Sequence, residues 1–270
     1  MKICEACGAE YEGVGQRYCS QKCANKHRRI LEREALGKEY TVWSCGGGVQ
    51  STALAALFFN GTLPKPDYSV MVDTGYEKAR VMEYVRGTLV PELAKVGITL
   101  EIVQTRDYYP QQSIVDSGGF CVIPAFRLDE HGKPMRMKTC CNETWKVKVI
   151  RKWLQSRGVE KYEYIIGISA DEAHRRREPA RAYYKNTYPL VDMGLDRQGC
   201  LDVIKSVGWP EPVRSSCIMC GQQSDGEFWA MKYKSPEDFA RVVEIEREIQ
   251  KTQGDVFIHR LCKPIDKIFS

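Results

Sequence analysis

The sequence predicts an α/β fold, a parallel sheet with helices on both faces, preceded by a small module held together by metal. Three observations lead there. From about residue 40, short apolar runs alternate with helix-length segments, the pattern of strands joined by crossover helices. One strand-to-helix junction is a run of three glycines, Gly46, Gly47 and Gly48. The N-terminus carries two close cysteine pairs, Cys4/Cys7 and Cys19/Cys23, in a unit too small to fold by burial alone.

Composition sets the bounds. A chain of 270 residues, 43% apolar and 28% charged, suits one α/β domain with a small appendage. No run of about 18 apolar residues occurs, so no membrane-spanning helix is expected. The opening MKICEACG lacks the apolar core of a secretory signal, which leads us to expect a cytoplasmic protein. The formal net charge of +5 permits a nucleic-acid partner without demanding one. There are 12 cysteines, and in a reducing compartment these are expected to bind metal or pack rather than form disulfides. Cys4, Cys7, Cys19 and Cys23 form one cluster; Cys140, Cys141, Cys217 and Cys220 form a second. Cys45, Cys121, Cys200 and Cys262 are scattered and read as small apolar packing.

The elements follow in order. Residues 1–27 are the metal module. Residues 28–38 are charged and helix-prone, a linker helix ending near Gly37. The main domain is expected over 39–230. In it YTVWS (40–44) is a buried strand, 51–59 a helix, YSVMVD (68–73) a strand, 77–95 a helix and 98–105 a strand. A long polar loop is expected over 106–138, then a helix capped by Asn142 and running to Gln155. A strand follows at 162–169, then a basic segment at 173–181. The remainder, 231–270, is a helical segment whose main helix opens at Ser235-Pro236 and runs to Gln253. Ligands of such sheets bind beyond the carboxyl ends of the strands, which is where Gly46–Gly48 and Asp73-Thr74-Gly75 are expected.

The glycine run can carry phosphate chemistry. Glycines let the backbone approach a phosphate, and the helix after them offers free N–H groups and a positive dipole end. Ser51 and Thr52 add hydroxyls. The run is neither a Walker A loop nor a dinucleotide fingerprint, and by itself it also fits a plain tight turn.

Gly46-Gly47-Gly48-Val49-Gln50-Ser51-Thr52 resembles the PP-loop, Ser-Gly-Gly-x-Asp-Ser-Thr, of the ATP pyrophosphatase (adenine nucleotide alpha hydrolase-like) superfamily. Gly47, Gly48 and Ser51 match. Gly46 replaces the family's first serine, with Ser44 close by, and Gln50 replaces its aspartate, which alters how magnesium is held. Asp73-Thr74-Gly75 is similar to a signature of the phosphoadenosine phosphosulfate (PAPS) reductase-like family. Gly167 to Arg175 resembles that family's Gly-x-x-x-x-Glu-Ser-x-x-Arg stretch, with Ala173 replacing the serine. The resemblance implies a Rossmann-like sheet that binds ATP with Mg²⁺ through Ser44, Gly46, Gly47, Gly48, Gln50, Ser51, Thr52, Asp73, Thr74, Gly75 and Gly167. It also implies attack at the α-phosphate, with Ser51, Asp73, Arg175 and Cys141 as the catalytic candidates. Arg175, Arg176 and Arg177 can bind phosphate bidentately, and at least one of the three is expected to be merely solvated.

The second cluster pairs Cys140 and Cys141, at the start of a helix that favours thiolate, with Cys217-x2-Cys220. It resembles the double-cysteine and Cys-x2-Cys arrangement of assimilatory adenylyl-sulfate reductases, which implies a 4Fe–4S cluster. If Lys146 sets the register, only Cys141, Cys217 and Cys220 align and one iron is open; with Cys140 there are four ligands. Tetrathiolate zinc fits the same spacing. The reductase family's C-terminal Glu-Cys-Gly-x-His is absent around Cys262, which weakens sulfonucleotide reduction as the activity.

In the N-terminal cluster Cys4-x2-Cys7 followed by Cys19-x3-Cys23 is similar to a treble-clef zinc module. Lys22, Lys26, His27, Arg28 and Arg29 follow it, a basic run suited to phosphate backbone. The expected function is ATP-dependent adenylation of an acceptor for iron–sulfur-assisted sulfur transfer to DNA, tRNA or a nucleoside, with a sulfur donor such as a cysteine desulfurase. The alternatives are a sulfonucleotide reductase-like oxidoreductase and a zinc-containing nucleic-acid-binding accessory protein without catalysis.

Overall fold

The computed structural model describes residues 1–13, 17–34, 36–110, 123–179 and 181–270. Cys121 and the 111–122 part of the expected long loop lie outside these residues. Strands β1 (Lys2–Ile3) and β2 (Glu10–Tyr11) make a small antiparallel ribbon. Helix α1 (Gln21–Glu34) follows as one piece and crosses the boundary expected at 27/28. It buries no residue, so no apolar core fixes it. Its far end is held by polar contacts instead. Arg29 donates to the Pro179 carbonyl at 2.7 Å, and Arg33 donates to the Ala182 and Tyr162 carbonyls at 3.1 Å and pairs with Glu39 at 2.7 Å.

The main sheet begins with β3 (Glu39–Ser44), α2 (Val49–Phe59) and β4 (Tyr68–Asp73). Helices α3 (Ala79–Tyr84) and α4 (Val90–Lys95) are joined through a π-helical turn at Val85–Leu89, and β5 (Leu100–Gln104) follows. After α5 (Thr105–Tyr108), the hairpin β6 (Phe126–Leu128) and β7 (Pro134–Arg136) occupies part of what reads in sequence as loop. Helix α6 (Lys148–Gln155) continues a π-helical stretch at Glu143–Val147. Then come β8 (Lys161–Ile165), β9 (Tyr184–Thr187), α7 (Pro189–Asp192), α8 (Arg197–Ser206), α9 (Asp225–Lys234), α10 (Pro236–Gln253) and α11 (Ile265–Ile268).

The sheet order is β5-β4-β3-β8-β9, with every neighbouring pair parallel. The chain enters at the centre, winds to one edge and returns to the other side of β3. That reversal puts the switch point, and the ligand crevice of such sheets, between β3 and β8. Alternation along the strands feeds two cores. On one face Trp43, Met71 and Ile165 pack with Leu54, Phe58, Leu89 and Ile204 of α2, the α3–α4 segment and α8. On the other, Val42, Val70, Val72 and Val103 meet Val149, Ile150, Trp153 and Leu154 of α6. A third core gathers α9, α10 and α11 around Phe228, Phe239, Ile245 and Phe269, and takes in Trp145, Ile218 and Met219.

Further departures from the sequence expectation lie near the site. Asn142 caps nothing: at φ −61° and ψ −48° it is already helical, without a side-chain capping bond. The helix opens at Cys141, whose sulfur accepts from the Thr139 hydroxyl at 3.3 Å. Strand β8 stops at Ile165, because the next residues turn across the glycine loop. Helix α9 was not expected, although its signal is present. Ser224 Oγ accepts from Glu227 N at 3.3 Å, and the Glu227 carboxylate accepts from Ser224 N at 3.0 Å, a capping box.

Gly221, directly after Cys220, is wedged into the third core. A Cβ there would lie 2.1 Å from the Pro124 carbonyl oxygen and 2.5 Å from that of Ile258. Neither backbone can yield locally. Gly221→Ala is therefore expected to destabilise by about 3 kcal/mol through overpacking, lowering the melting temperature by about 8 °C. A calorimetric scan indistinguishable from wild type would refute that packing.

Candidate active site

The crevice at the switch point is a cleft of about 650 Å³. One wall is the glycine loop. Gly47 has φ +69°, and a Cβ on it would strike Val81 at 2.6 Å, so the tight turn is confined to glycine. Ser51 Oγ donates to Gly48 O at 3.1 Å and accepts from Gly48 N at 3.2 Å, closing the first turn of α2. The helix behind is almost wholly buried, which fixes the loop. Opposite, a Cβ on Gly167 would lie 3.0 Å from Ser51 N; the backbone after β8 thus lies against the loop at a distance only glycine permits. Gln50, standing where the PP-loop has aspartate, reaches Ser169 Oγ and Glu172 Oε2, each at 3.4 Å. Glu172 in turn accepts from Arg175 at 2.7 Å.

Of the residues singled out from sequence, Ser44, Gly46, Gly48, Gln50 and Ser51 line this cleft, as do Gly167 and Arg175. Arg177 joins them; Arg176 does not and is exposed. Gly47 and Thr52 face the core beneath the loop, Thr52 fully buried. Asp73 is committed to structure: its carboxylate accepts from Gly75 N at 2.7 Å and from Gln104 Nε2 at 2.8 Å. Thr74 and Gly75 form the turn that presents Glu77, a residue the sequence reading missed.

Glu77 is the pivot between the cleft and the second cysteine cluster. Its side chain is 1% exposed and pairs with Lys146 at 2.9 Å. Its Oε1 also accepts from the Thr74 hydroxyl at 3.1 Å and lies 3.7 Å from Cys217 Sγ, while its buried Oε2 has no partner among the described residues. Desolvation pulls the Lys146 ammonium down, but the carboxylate of Glu77, with Cys217 beyond it, outweighs that and holds it above its ordinary range. Burial, reinforced by Glu77, pushes the Cys217 thiol up to about 12. Glu77 and Cys217 also form a backbone bridge, and Ser215 Oγ sits where a Cβ on Gly48 would be, 2.5 Å away. The segment 215–217 therefore ties the cysteines to the glycine loop.

The two cysteine clusters differ in geometry. In the N-terminal one all four sulfurs lie within 4.8 Å of one another, with Cys7–Cys19 at 3.7 Å and Cys19–Cys23 at 3.4 Å. A tetrahedral ion with bonds of about 2.3 Å holds its sulfurs about 3.8 Å apart, so one metal ion fits. Crowding splits the thiols: backbone N–H donors, that of Cys19 first, bring Cys4 down to about 6, while the hydrogen bond with Cys23 pushes Cys19 up to about 12. A dication would relieve that competition. Cys141 and Cys217 pack against the third core and Cys220 lies near them, but these sulfurs do not converge to the same radius, and Cys140 is exposed. Cys262 lines a separate cavity of about 460 Å³ with Arg127 and Phe257.

Fold and site together define a doubly wound α/β protein with a glycine-rich loop at its switch point and, at its N-terminus, a four-cysteine cluster compatible with a metal-binding module. No protein-family model and no curated protein sequence matches the chain. Two solved structures to which it is similar are a U34-tRNA thiolase, NcsA, from Methanococcus maripaludis with its 4Fe–4S cluster, and a phosphoadenylyl-sulfate (PAPS) reductase from Candida auris in complex with phosphate. The first shares 15% identity over 94% of this chain and 89% of the other, with a TM-score of 0.43. The second shares 13% over 71% and 89%, with a TM-score of 0.41. No helix is long and apolar enough to cross a membrane among the described residues.

Proposed function

We propose that the chain is an ATP-dependent PP-loop enzyme that adenylates an acceptor carbonyl on a nucleic acid or nucleoside so that sulfur can replace its oxygen. The observation that carries this reading is that one cleft joins the glycine loop to Arg175, Arg177 and Lys146, with Cys217 in contact with the Glu77–Lys146 pair. The loop N–H groups, the α2 dipole and the two arginines match a polyphosphate. The acceptor oxygen forms a bond to the α-phosphorus, the bond to the bridging oxygen breaks and pyrophosphate leaves. A hydrosulfide-level sulfur then adds at the same carbon and AMP departs with the oxygen, with no net oxidation or reduction. Lys146 is placed to balance the negative charge that develops.

Mg²⁺, where bound, would be held by phosphate oxygens near Gln50 and Glu172 and would neutralise charge on the leaving group. Zinc suits Cys4, Cys7, Cys19 and Cys23. A 4Fe–4S cluster at Cys141, Cys217 and Cys220, with Cys140 as the fourth candidate, would hold the sulfur. A donor such as a cysteine desulfurase would supply it, and DNA or tRNA would dock along the basic helix behind the zinc. The test is anaerobic purification with iron, sulfide and zinc analysis, followed by pyrophosphate and sulfur-incorporation assays. Iron and sulfide with one zinc, and acceptor-dependent pyrophosphate release, are expected. Sulfite release from a sulfonucleotide, or two zincs and no ATP turnover, would overturn the reading. Within that assay Gly48→Val, which drives a branched side chain into Ser215 and the cleft, is expected to lower pyrophosphate release at least about 100-fold with an unchanged far-ultraviolet spectrum.

A further inference from the structure

We propose that the β8–β9 half of the cleft is a stacking subsite for an unpaired nucleobase of a single-stranded nucleic acid. This assignment rests on the adenylation reading above and names its acceptor. Helix α6 covers the sheet face over β3, β4 and β5 and reaches Tyr162 of β8, while Tyr164 and Tyr184 pack half-buried at the margin of that core. On the same face, across β8 and β9, the register places Tyr162 beside Tyr184 and Tyr164 beside Asn186. All four line the cleft. Tyr162 and Tyr184 are stacked at 5.7 Å and 13°, and Tyr164 stands edge-on to Tyr162 at 6.2 Å. Tyr162 is buried, so Tyr164 and Tyr184 are the half-buried rings that the cleft offers as its floor, with Tyr162 backing them.

Asn186 gives the floor a polar edge. Its Nδ2 donates to the Arg177 carbonyl at 2.8 Å, while its Oδ1 is buried without a partner among the described residues. Ser216 Oγ, also lining the cleft, is likewise unpartnered. A planar ring bearing N–H donors satisfies both the stacking surface and the orphan acceptor. A base inside a duplex cannot reach such a floor; it must be single-stranded or extruded.

The charge runs in the same direction. Arg175 and Arg177 stand at the cleft. Arg29 and Arg33 of α1 grip the carbonyls of Pro179 and Ala182, just before β9. The same helix exposes Lys22 and Lys26 one turn apart, cations suited to phosphate backbone.

The experiment uses the full-length, metal-loaded protein and a single-stranded oligonucleotide carrying 2-aminopurine, as DNA and as RNA. Anisotropy reports affinity and quenching reports stacking. A non-hydrolysable ATP analogue is titrated in parallel by calorimetry. Wild type is expected to bind the single strand, quench the probe and bind the matching duplex at least about 10-fold more weakly. Tyr184→Leu, which keeps bulk but not the ring, is expected to lose about 10-fold in single-strand affinity and most of the quenching. Tyr184→Phe is expected to keep both, and each variant is expected to bind the ATP analogue normally. ATP-analogue binding with no single-strand binding overturns this assignment and leaves the adenylation reading standing. Loss of ATP-analogue affinity in Tyr184→Leu, with single-strand binding intact, assigns the floor to the ATP adenine and also overturns it. Failure of wild type to bind the ATP analogue removes the adenylation reading itself.

Discussion

If the proposed zinc occupies Cys4, Cys7, Cys19 and Cys23, chelating it is expected to unfold residues 1–27 as a unit while the five-stranded sheet stays folded. Among the described residues before β3, Cys4 is the one buried apolar side chain, and α1 buries nothing. Burial therefore contributes almost no folding energy there. A structural zinc on four thiolates contributes about 10–16 kcal/mol, far more than any other contact in the module. The Glu5–Arg17 pair is an exposed ion pair and adds little. Hydrogen exchange read by mass spectrometry checks this. Protection is expected to vanish over 1–27 and to fade, not vanish, over 28–34, because Arg29 and Arg33 still hold that end of α1 to the main domain. Cys19→Ser should reproduce the pattern without chelator. Full protection after metal removal would show that the module folds by packing.

Replacing Lys146 by methionine is expected to destabilise the fold by about 3 kcal/mol. Glu77 is 1% exposed and Lys146 is its ion-pair partner; removing the cation leaves a buried carboxylate against Thr74 and Cys217 alone, which typically costs about 3–5 kcal/mol. The lower end applies because the Lys146 side chain is 31% exposed and water can replace part of it. Thermal unfolding of Lys146→Met, of Glu77→Gln and of the double variant completes a cycle. The double variant is expected to recover more than half of the loss, since the uncompensated charge is gone. Additive losses would mean that the pair is not coupled, and Glu77 would then lose its place as the link between the cleft and Cys217.

Much of this molecule is legible from local pattern. YTVWS and YSVMVD became β3 and β4 because short β-branched and aromatic runs bounded by turns have few other uses. Ser235-Pro236 marked the start of α10, and three glycines between a strand and a helix marked the tight loop at the switch point. In α9 the apolar residues are spread around the helix, so periodicity is weak although the Ser224–Glu227 box is present; α8 is amphipathic, with Cys200 and Ile204 buried one turn apart behind an Asp196 cap, and its signal was readable. Asn142 misled because a capping residue type was read without knowing that the chain already enters the helix at Cys141.

By itself the sequence determined the alternation of strands and helices, the glycine loop and the pairing of the four N-terminal cysteines. Each depends on residues near one another in the chain, where spacing dictates geometry. Only the tertiary structure decided the rest. Sheet order brought Gly167 against Ser51 and placed the tyrosines of β8 beside β9. It also diverted Asp73 to holding a turn and buried Glu77 between Lys146 and Cys217. The two Glu77 pairings join residues 69 and 140 positions apart. Burial and charge make them strong, and nothing in the local spacing of either partner encodes which distant residue it will meet.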